Sequence, residues 1–355
     1  MLLMKGDVLM STQGRFRKRI KDKSTAYLFT TTILLLAGLH MTLFTGTAVG
    51  QGVQGKQSPK KGGPPRLVNT FRHQGEFSVI TLGTGSPAYH PERSGPSALV
   101  CYKGHYFLVD MGNGTQARLH EAGIPARDID TILFTHLHLD HSEEFIPMVI
   151  KAWLQGQDQL KIMGPPRTKE YHDFLIQFYH EDMAYRAWRT GRSMEIVENM
   201  EIEELKGKNR FEDHGVSIST AEVPHTAYTL AYRFDAGGKS IVISGDLGYS
   251  ESLITLSKDA DVLVMDASQY IRKKGPGQGP PRRDRKRVQT GDKDWPKPHA
   301  SINEVALMAE KAKAKKMVLT HFGPGDIDKE ATAGAIQEIY HGEIVFGRDL
   351  LEIVP

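Results

Sequence analysis

His136-Leu137-His138-Leu139-Asp140-His141 places four side chains of metal-ligand type within six positions. Histidines at i and i+2, followed by Asp and His at i+4 and i+5, cannot all serve one ion from one regular element. On a tight loop after a strand they split, with His136 and His138 facing one ion and Asp140 and His141 facing its neighbour. Imidazole and carboxylate together suit zinc, and also manganese or iron. The stretch therefore predicts two divalent cations, zinc before Mn2+ or Fe2+. The apolar run Thr131–Thr135 just upstream reads as the strand that delivers the loop.

Upstream of the motif, Phe77–Leu82 reads as a strand ending at Gly83-Thr84-Gly85, and Ser97–Tyr102 with Tyr106–Asp110 as a hairpin pair. Thr115–Ala122, Glu143–Leu154 and Lys169–Trp188 read as helices. A second block of strands covers Val216–Val223, Thr229–Asp235, Ser240–Ser244, Val262–Met265 and Met317–Thr320, with Ala236-Gly237-Gly238 as a hairpin tip. Ser301-Ile302-Asn303-Glu304 is a capping box opening a helix to about Lys315. Val305, Met308, Ala309 and Ala312 give that helix an apolar stripe. Two successive blocks of strands and helices predict a sheet-on-sheet core flanked by helices. Phe174 and Phe178 have helical spacing, the usual mark of core packing; the other reading of this aromatic-rich stretch is a partly exposed cap over the metal cleft.

Charge is unevenly divided. The formal net charge is +3, but residues 1–24 hold seven Lys/Arg against Asp7 and Asp22, a net of +5, so the remainder carries −2. A near-neutral body argues against a generally nucleic-acid-coating surface. Cys101 is the single cysteine, which excludes an intramolecular disulfide and any thiolate cluster. It sits in an apolar run and reads as a buried core residue. Residues 26–50 contain no Lys, Arg, Asp or Glu. Behind a basic flank, that stretch is an export signal, an uncleaved single membrane anchor, or a buried helix. The first two place the body outside the cytoplasm, periplasmic or extracellular, with at least transient membrane contact and the N-terminus inside. Residues 1–50 thus read as signal or anchor and 51–72 as a flexible linker rich in Gly, Pro, Gln and Lys. Residues 73–355 read as one domain carrying a basic loop over 271–298.

The histidine motif resembles that of the metallo-β-lactamase superfamily, and the resemblance runs from about Phe77 to the C-terminus. It implies an α/β fold, an αββα sandwich with a binuclear metal site at the sheet edge. Further matches follow in order: His225 as the third ligand histidine, Asp246 as the aspartate bridging both metals, His321 as the last histidine. The superfamily's di-iron branch carries Glu where this chain has His138, and its cysteine-ligand lactamases need a Cys near Asp246 that is lacking here. The remaining histidines apart from His299, among them His105, His172 and His214, read as surface or structural.

Several stretches are similar to ribonuclease Z and its arylsulfatase-like relatives. They are Leu82–Pro87 through Arg93–Ser97, Met163–Thr168, Asp261–Ser268 and Pro298-His299-Ala300-Ser301. Met265 and Asp266 stand where that family writes His and Glu. The resemblance implies a binuclear hydrolase cleaving phosphodiester or sulfate-ester bonds, with a cation-activated water as nucleophile, and the N-terminal segment adds the expectation of export. In that reading Asp140 orients the water, His299 protonates the leaving oxygen, and Asp266 holds the His299 imidazole charged. Three departures separate the chain from a transfer-RNA maturase. The RNA-gripping arm is missing, since a hairpin uses all of Thr226–Gly245. Leu139 replaces a common Gly, and export would remove the enzyme from cytosolic RNA. Between Arg272 and Lys297 lie ten Lys/Arg, and Arg282, Arg283, Arg285 and Arg287 are the candidates for steering an anionic ester substrate; a solvated loop is the equal alternative. Three rivals stand beside this reading: acyl hydrolysis of a lactone, thioester or β-lactam, a ribonuclease Z-like nuclease, and a metal-binding scaffold without turnover. Related enzymes often dimerise, so a homodimer is an option.

Overall fold

A computed structural model describes residues 76–273 and 296–355. The segments read as signal or anchor and as linker, and the steering candidates Arg282, Arg283, Arg285 and Arg287, lie outside the described residues. Among the described residues, no helix is long and apolar enough to cross a membrane.

Apolar residues at adjacent strand positions, both buried, set the architecture. Val79 and Ile80, neighbours in β1 (Phe77–Gly83), are each fully buried but on opposite faces of their sheet, because successive side chains alternate. The same two-sided burial holds in β2 (Ser97–Tyr102), β3 (His105–Val109), β4 (Thr131–Leu133) and β5 (Lys161–Gly164). The exposed β6 (Glu201–Glu204) closes one edge. The second block supplies β7 (Arg210–Asp213), β8 (Val216–Val223), β9 (Thr229–Ala236), β10 (Lys239–Ile243), β11 (Val262–Asp266), β12 (Lys316–Thr320) and β13 (Glu343–Phe346). The last strand, β14 (Leu351–Ile353), returns to pair with β1. The sheet orders are β14-β1-β2-β3-β4-β5-β6 and β13-β12-β11-β10-β9-β8-β7.

Between the sheets pack Val79, Phe107, Leu133, Ile218, Tyr232, Phe234, Val264 and Val318. Helices cover both outer faces. The first sheet carries α1 (Thr115–Glu121), α2 (Leu139–Ser142), α3 (Phe145–Leu154), α4 (Thr168–Phe178), α5 (His180–Thr190) and α6 (Glu195–Glu198). Leu119, Phe145 and Trp153 cap its Ile80, Leu99 and Leu108. On the second sheet, α7 (Glu251–Leu256), α8 (Ile302–Ala312) and α9 (Lys329–Gln337) place Leu253, Val305, Met308 and Ile336 over Leu263 and Met317. Each such side chain contributes about 1.5–3 kcal/mol by leaving water. The αββα sandwich expected from the sequence is the fold observed, and Cys101 is buried within it.

Three local expectations differ from the structure. Lys169–Trp188 is two helices, broken at Tyr179. The stripe helix ends at Ala312 because Lys313 turns left-handed at φ 54°. Phe174 and Phe178 are 60% and 69% exposed, so they are not core residues; α4 instead buries Thr168, His172 and Ile176.

Candidate metal centre

All the residues singled out for chemistry and described in the structure sit at one edge of the sandwich, where strands end. Asp110 follows β3, His136 follows β4 by a short loop, and His225 follows β8. Asp246 comes after β10, Asp266 closes β11, and His321 follows β12. Carboxyl ends of strands in α/β sheets are the usual place for such sites.

Backbone contacts hold the motif loop. Met111 N donates to His141 O at 2.7 Å, and Thr135 N donates to Asp110 Oδ1 at 2.7 Å. A Cβ on Gly112 would collide with the Asp140 carbonyl, so this position needs glycine for close approach. Gly245 takes φ 61° against Thr135 and Thr229, and the chain then presents Asp246 to the cluster.

The ligand-type atoms converge in groups that share members. His136, His138 and His225 form one, and Asp140, His141 and His321 another. Asp246 joins them, with Oδ1 3.4 Å from His141 Nε2 and Oδ2 3.3 Å from His321 Nε2 and 3.9 Å from His225 Nε2. His138 Nδ1 lies 3.0 Å from His136 Nε2 and 3.2 Å from His225 Nε2. A further group, His136, His141 and Asp246, runs across these two, so the ligand-type atoms form one continuous cluster.

The donors fit divalent cations. Each of four imidazoles uses Nδ1 on a protein oxygen: His136 on Thr135 Oγ1 (3.0 Å), His141 on Asp110 Oδ2 (2.8 Å), His225 on Pro298 O (2.7 Å) and His321 on Ser268 Oγ (2.6 Å). That leaves every Nε2 turned inward, the arrangement that orients metal-ligating histidines. Asp140 Oδ2, His141 Nε2 and His321 Nε2 are buried without a hydrogen-bond partner. Orphaned acceptors are costly unless something pairs them, and a cation does.

Electrostatics reflect the crowding. Burial, helped by the neighbouring His141, holds His136 well below the usual imidazole range. Burial also lowers His138 and His225. For His141 and His321 burial opposes the charged form, but Asp246, with Asp110 for His141 and Asp140 for His321, outweighs it and raises both. Asp246 is fully buried, which disfavours its charge, yet His321 and His141 hold its carboxyl well below the ordinary carboxylate range.

His299 stands at the rim. Its ring centroid is 5.6 Å from that of His225 and 5.4 Å from that of His321, and its Nδ1 is 2.7 Å from Asp266 Oδ2. Burial works against protonation, but the hydrogen bond and charge of Asp266 raise the imidazole above its usual range. Two supporting residues escaped the sequence reading. Asp110 accepts from Thr135 and His141, and Ser268 Oγ reaches Asp266, His299 and His321. The only sequence signal for Asp110 is an acidic residue at a strand end before Gly112.

This edge, on this sandwich, defines a metallohydrolase of the metallo-β-lactamase superfamily. The chain belongs to that superfamily: the beta-lactamase superfamily domain matches residues 105–322. It is similar to ribonuclease Z of Mycobacterium bovis BCG, 32% identical over 291 residues, covering 79% of this chain and 99% of the relative. Ribonuclease Z of Mycobacterium sp. strain KMS is 34% identical over 253 residues, covering 70% of this chain and 85% of the relative. Among solved structures, the metallo-β-lactamase fold protein YhfI from Bacillus subtilis matches with TM-score 0.60 at 18% identity, covering 78% of this chain and 98% of that one. The short form of human tRNase Z matches with TM-score 0.57 at 20% identity, with the same coverage of each chain. These two structures speak to the fold, which implies divalent metal ions.

Proposed function

We propose that the protein is a binuclear metal-dependent phosphodiesterase, with sulfate esters as the second electrophile its site can take. The observation carrying this reading is the His299–Asp266 pair, held 2.7 Å apart beside the converging ligands. His136, His138 and His225 would hold one cation, Asp140, His141 and His321 the other, and Asp246 both. Divalent ions bound there would supply a nucleophilic water near neutral pH and positive charge for the developing anion. Asp140, its Oδ2 buried and unpaired, orients the attacking water and accepts its proton. Asp266 fixes the imidazole of His299, which donates a proton to the leaving oxygen, as an alkoxide leaving group needs.

Parallel hydrolysis assays of the full-length chain test the bond class. With zinc or manganese, bis-nitrophenyl phosphate or nitrophenyl sulfate should be turned over in preference to a lactone and a chromogenic β-lactam. Preference for the lactone or lactam keeps the metal site and removes the phosphodiester assignment.

A second reading, a nuclease acting on structured RNA, is favoured by the ribonuclease Z name of relatives matched over nearly their whole length. Against it, β9 and β10 with their turn occupy the stretch between His225 and Asp246, leaving no gripping arm there. Cleavage of a precursor transfer RNA at a rate exceeding that of the small diester would favour the nuclease. Export rests on residues 1–50 alone, and a periplasmic reporter fused after residue 50 tests it.

A further inference from the structure

Two parallel strands end side by side at the catalytic edge. β11 and β12 run in register, Asp266 opposite Thr320, and Ala267 N donates to Thr320 O at 3.0 Å. Two residues past the end of β11 stands Ser268, and one past the end of β12 stands His321. His321 takes φ 59°, a left-handed backbone that few non-glycine residues adopt. The two strand ends thus bring a hydroxyl against a metal-ligand imidazole.

We propose that Ser268 is a positioning residue that couples the metal ligand His321 to the proton donor His299, so that one hydroxyl serves both halves of the site. The donor half of this role rests on the phosphodiesterase reading. Short contacts form an unbroken chain. His321 Nδ1 is 2.6 Å from Ser268 Oγ, Ser268 Oγ is 2.6 Å from Asp266 Oδ1, and Asp266 Oδ2 is 2.7 Å from His299 Nδ1.

The direction of the chain follows from the number of protons. A carboxylate only accepts, so the single Ser268 hydroxyl proton goes to Asp266 Oδ1. Ser268 Oγ must then accept from His321 Nδ1, which keeps a proton on that nitrogen and turns Nε2 to the ligand cluster. At the other end Asp266 Oδ2 accepts from His299 Nδ1, so the proton that His299 gives away is the one on Nε2.

Competing contacts are longer. Ser268 Oγ lies 3.2 Å from His299 Nδ1 and 3.2 Å from His321 O. Ser268 N also donates to Asp266 Oδ1, at 2.9 Å, which holds the carboxylate against the serine. The Asp266 and His321 side chains are almost wholly buried. Removing the hydroxyl therefore leaves an imidazole N–H without its acceptor and a carboxylate one donor short.

Ser268→Ala, Ser268→Thr and His299→Ala are prepared in the full-length chain. Zinc affinity is measured by competition with a chromogenic chelator, and kcat at saturating zinc on bis-nitrophenyl phosphate and on a diester with an alkyl leaving group. Ser268→Ala should bind one zinc ion about 10–100-fold more weakly, the usual worth of a group behind a ligand. It should also lose more rate on the alkyl diester than on the nitrophenyl one. That extra loss should vanish in a Ser268→Ala, His299→Ala double variant, which has no donor left to position. Ser268→Thr keeps the hydroxyl and should restore both properties. Unchanged zinc affinity in Ser268→Ala, or a rate loss equal for the two leaving groups, overturns the coupling. Hydrolysis of neither diester by wild type would instead overturn the phosphodiesterase reading, while the zinc measurement still tests Ser268 against His321.

Discussion

His299 Nδ1 approaches Asp266 Oδ2 to 2.7 Å, and Ser268 Oγ donates to the other oxygen of that carboxylate at 2.6 Å. Asp266 is therefore fully engaged and its side chain almost completely buried, while His299 keeps 20% of its side chain open to the cleft. A buried anion that positions a half-open imidazole is the arrangement of a proton donor and its support.

His299→Ala should lower kcat by about 10²- to 10⁴-fold on diesters with poor leaving groups, the usual worth of general acid catalysis. On bis-nitrophenyl phosphate, whose leaving group needs little proton assistance, the loss should be far smaller. Metal content should stay at the wild-type level. A penalty independent of the leaving group would remove His299 as the acid.

Asp110 carries a structural load that the catalytic roles do not reveal. It accepts from Thr135 N, Thr135 Oγ1 and His141 Nδ1, all within 2.8 Å, from a left-handed backbone at φ 59°. Asp110→Ala should cost about 2–3 kcal/mol through the buried donors it abandons. It should also weaken metal binding about 10–100-fold by freeing the His141 ring. Asp110→Asn, which tolerates that backbone, should cost less. Urea melts and metal titration measure the two effects separately.

Much of this site was legible because chemistry clusters in the chain: His136, His138, Asp140 and His141 announce themselves within one loop. Asp110 and Ser268 do not, since a lone acid at a strand end and a lone serine have many ordinary uses. The central strands were readable from continuous apolar runs such as Val262–Met265. The short β13 and β14 were not, because β14 exists through its pairing with β1 across the whole domain rather than through local pattern. Phe174 and Phe178 show the limit of periodicity: spacing puts them on one helix face without saying whether that face meets the core.

The capping box of α8 gives a stability prediction with a definite pH sign. The Lys297 ammonium, followed by the Ser301 backbone and hydroxyl, pulls Glu304 down to about 2. A carboxyl depressed in the folded state stabilises above its unfolded value, 4.5, and loses that contribution as pH falls towards about 2. Glu304 is one-third exposed, so screening keeps the effect to about 1 kcal/mol or less. Glu304→Gln should lower the urea midpoint at neutral pH and leave it nearly unchanged near about pH 2. Ser301→Ala should cost about 1 kcal/mol at any pH above that window.

Removing metal should destabilise the whole domain. His136, His141, His225, Asp246 and His321 are buried and come from both sheets, so chelation leaves unpaired imidazole and carboxylate atoms between them. Chelator-treated protein is expected to melt at lower temperature and to recover on addition of zinc or manganese. Unchanged melting after verified metal removal would show that the cluster is self-sufficient.

The Asp246 carboxylate approaches ligands of both groups, so Asp246→Asn tests the two-metal account. The decisive measurement is bound metal per chain together with hydrolysis of bis-nitrophenyl phosphate, made on the protein with and without Asp246→Asn. The account predicts that metal content and turnover fall together, turnover to the uncatalysed rate. Normal turnover in the Asp246→Asn protein would contradict it.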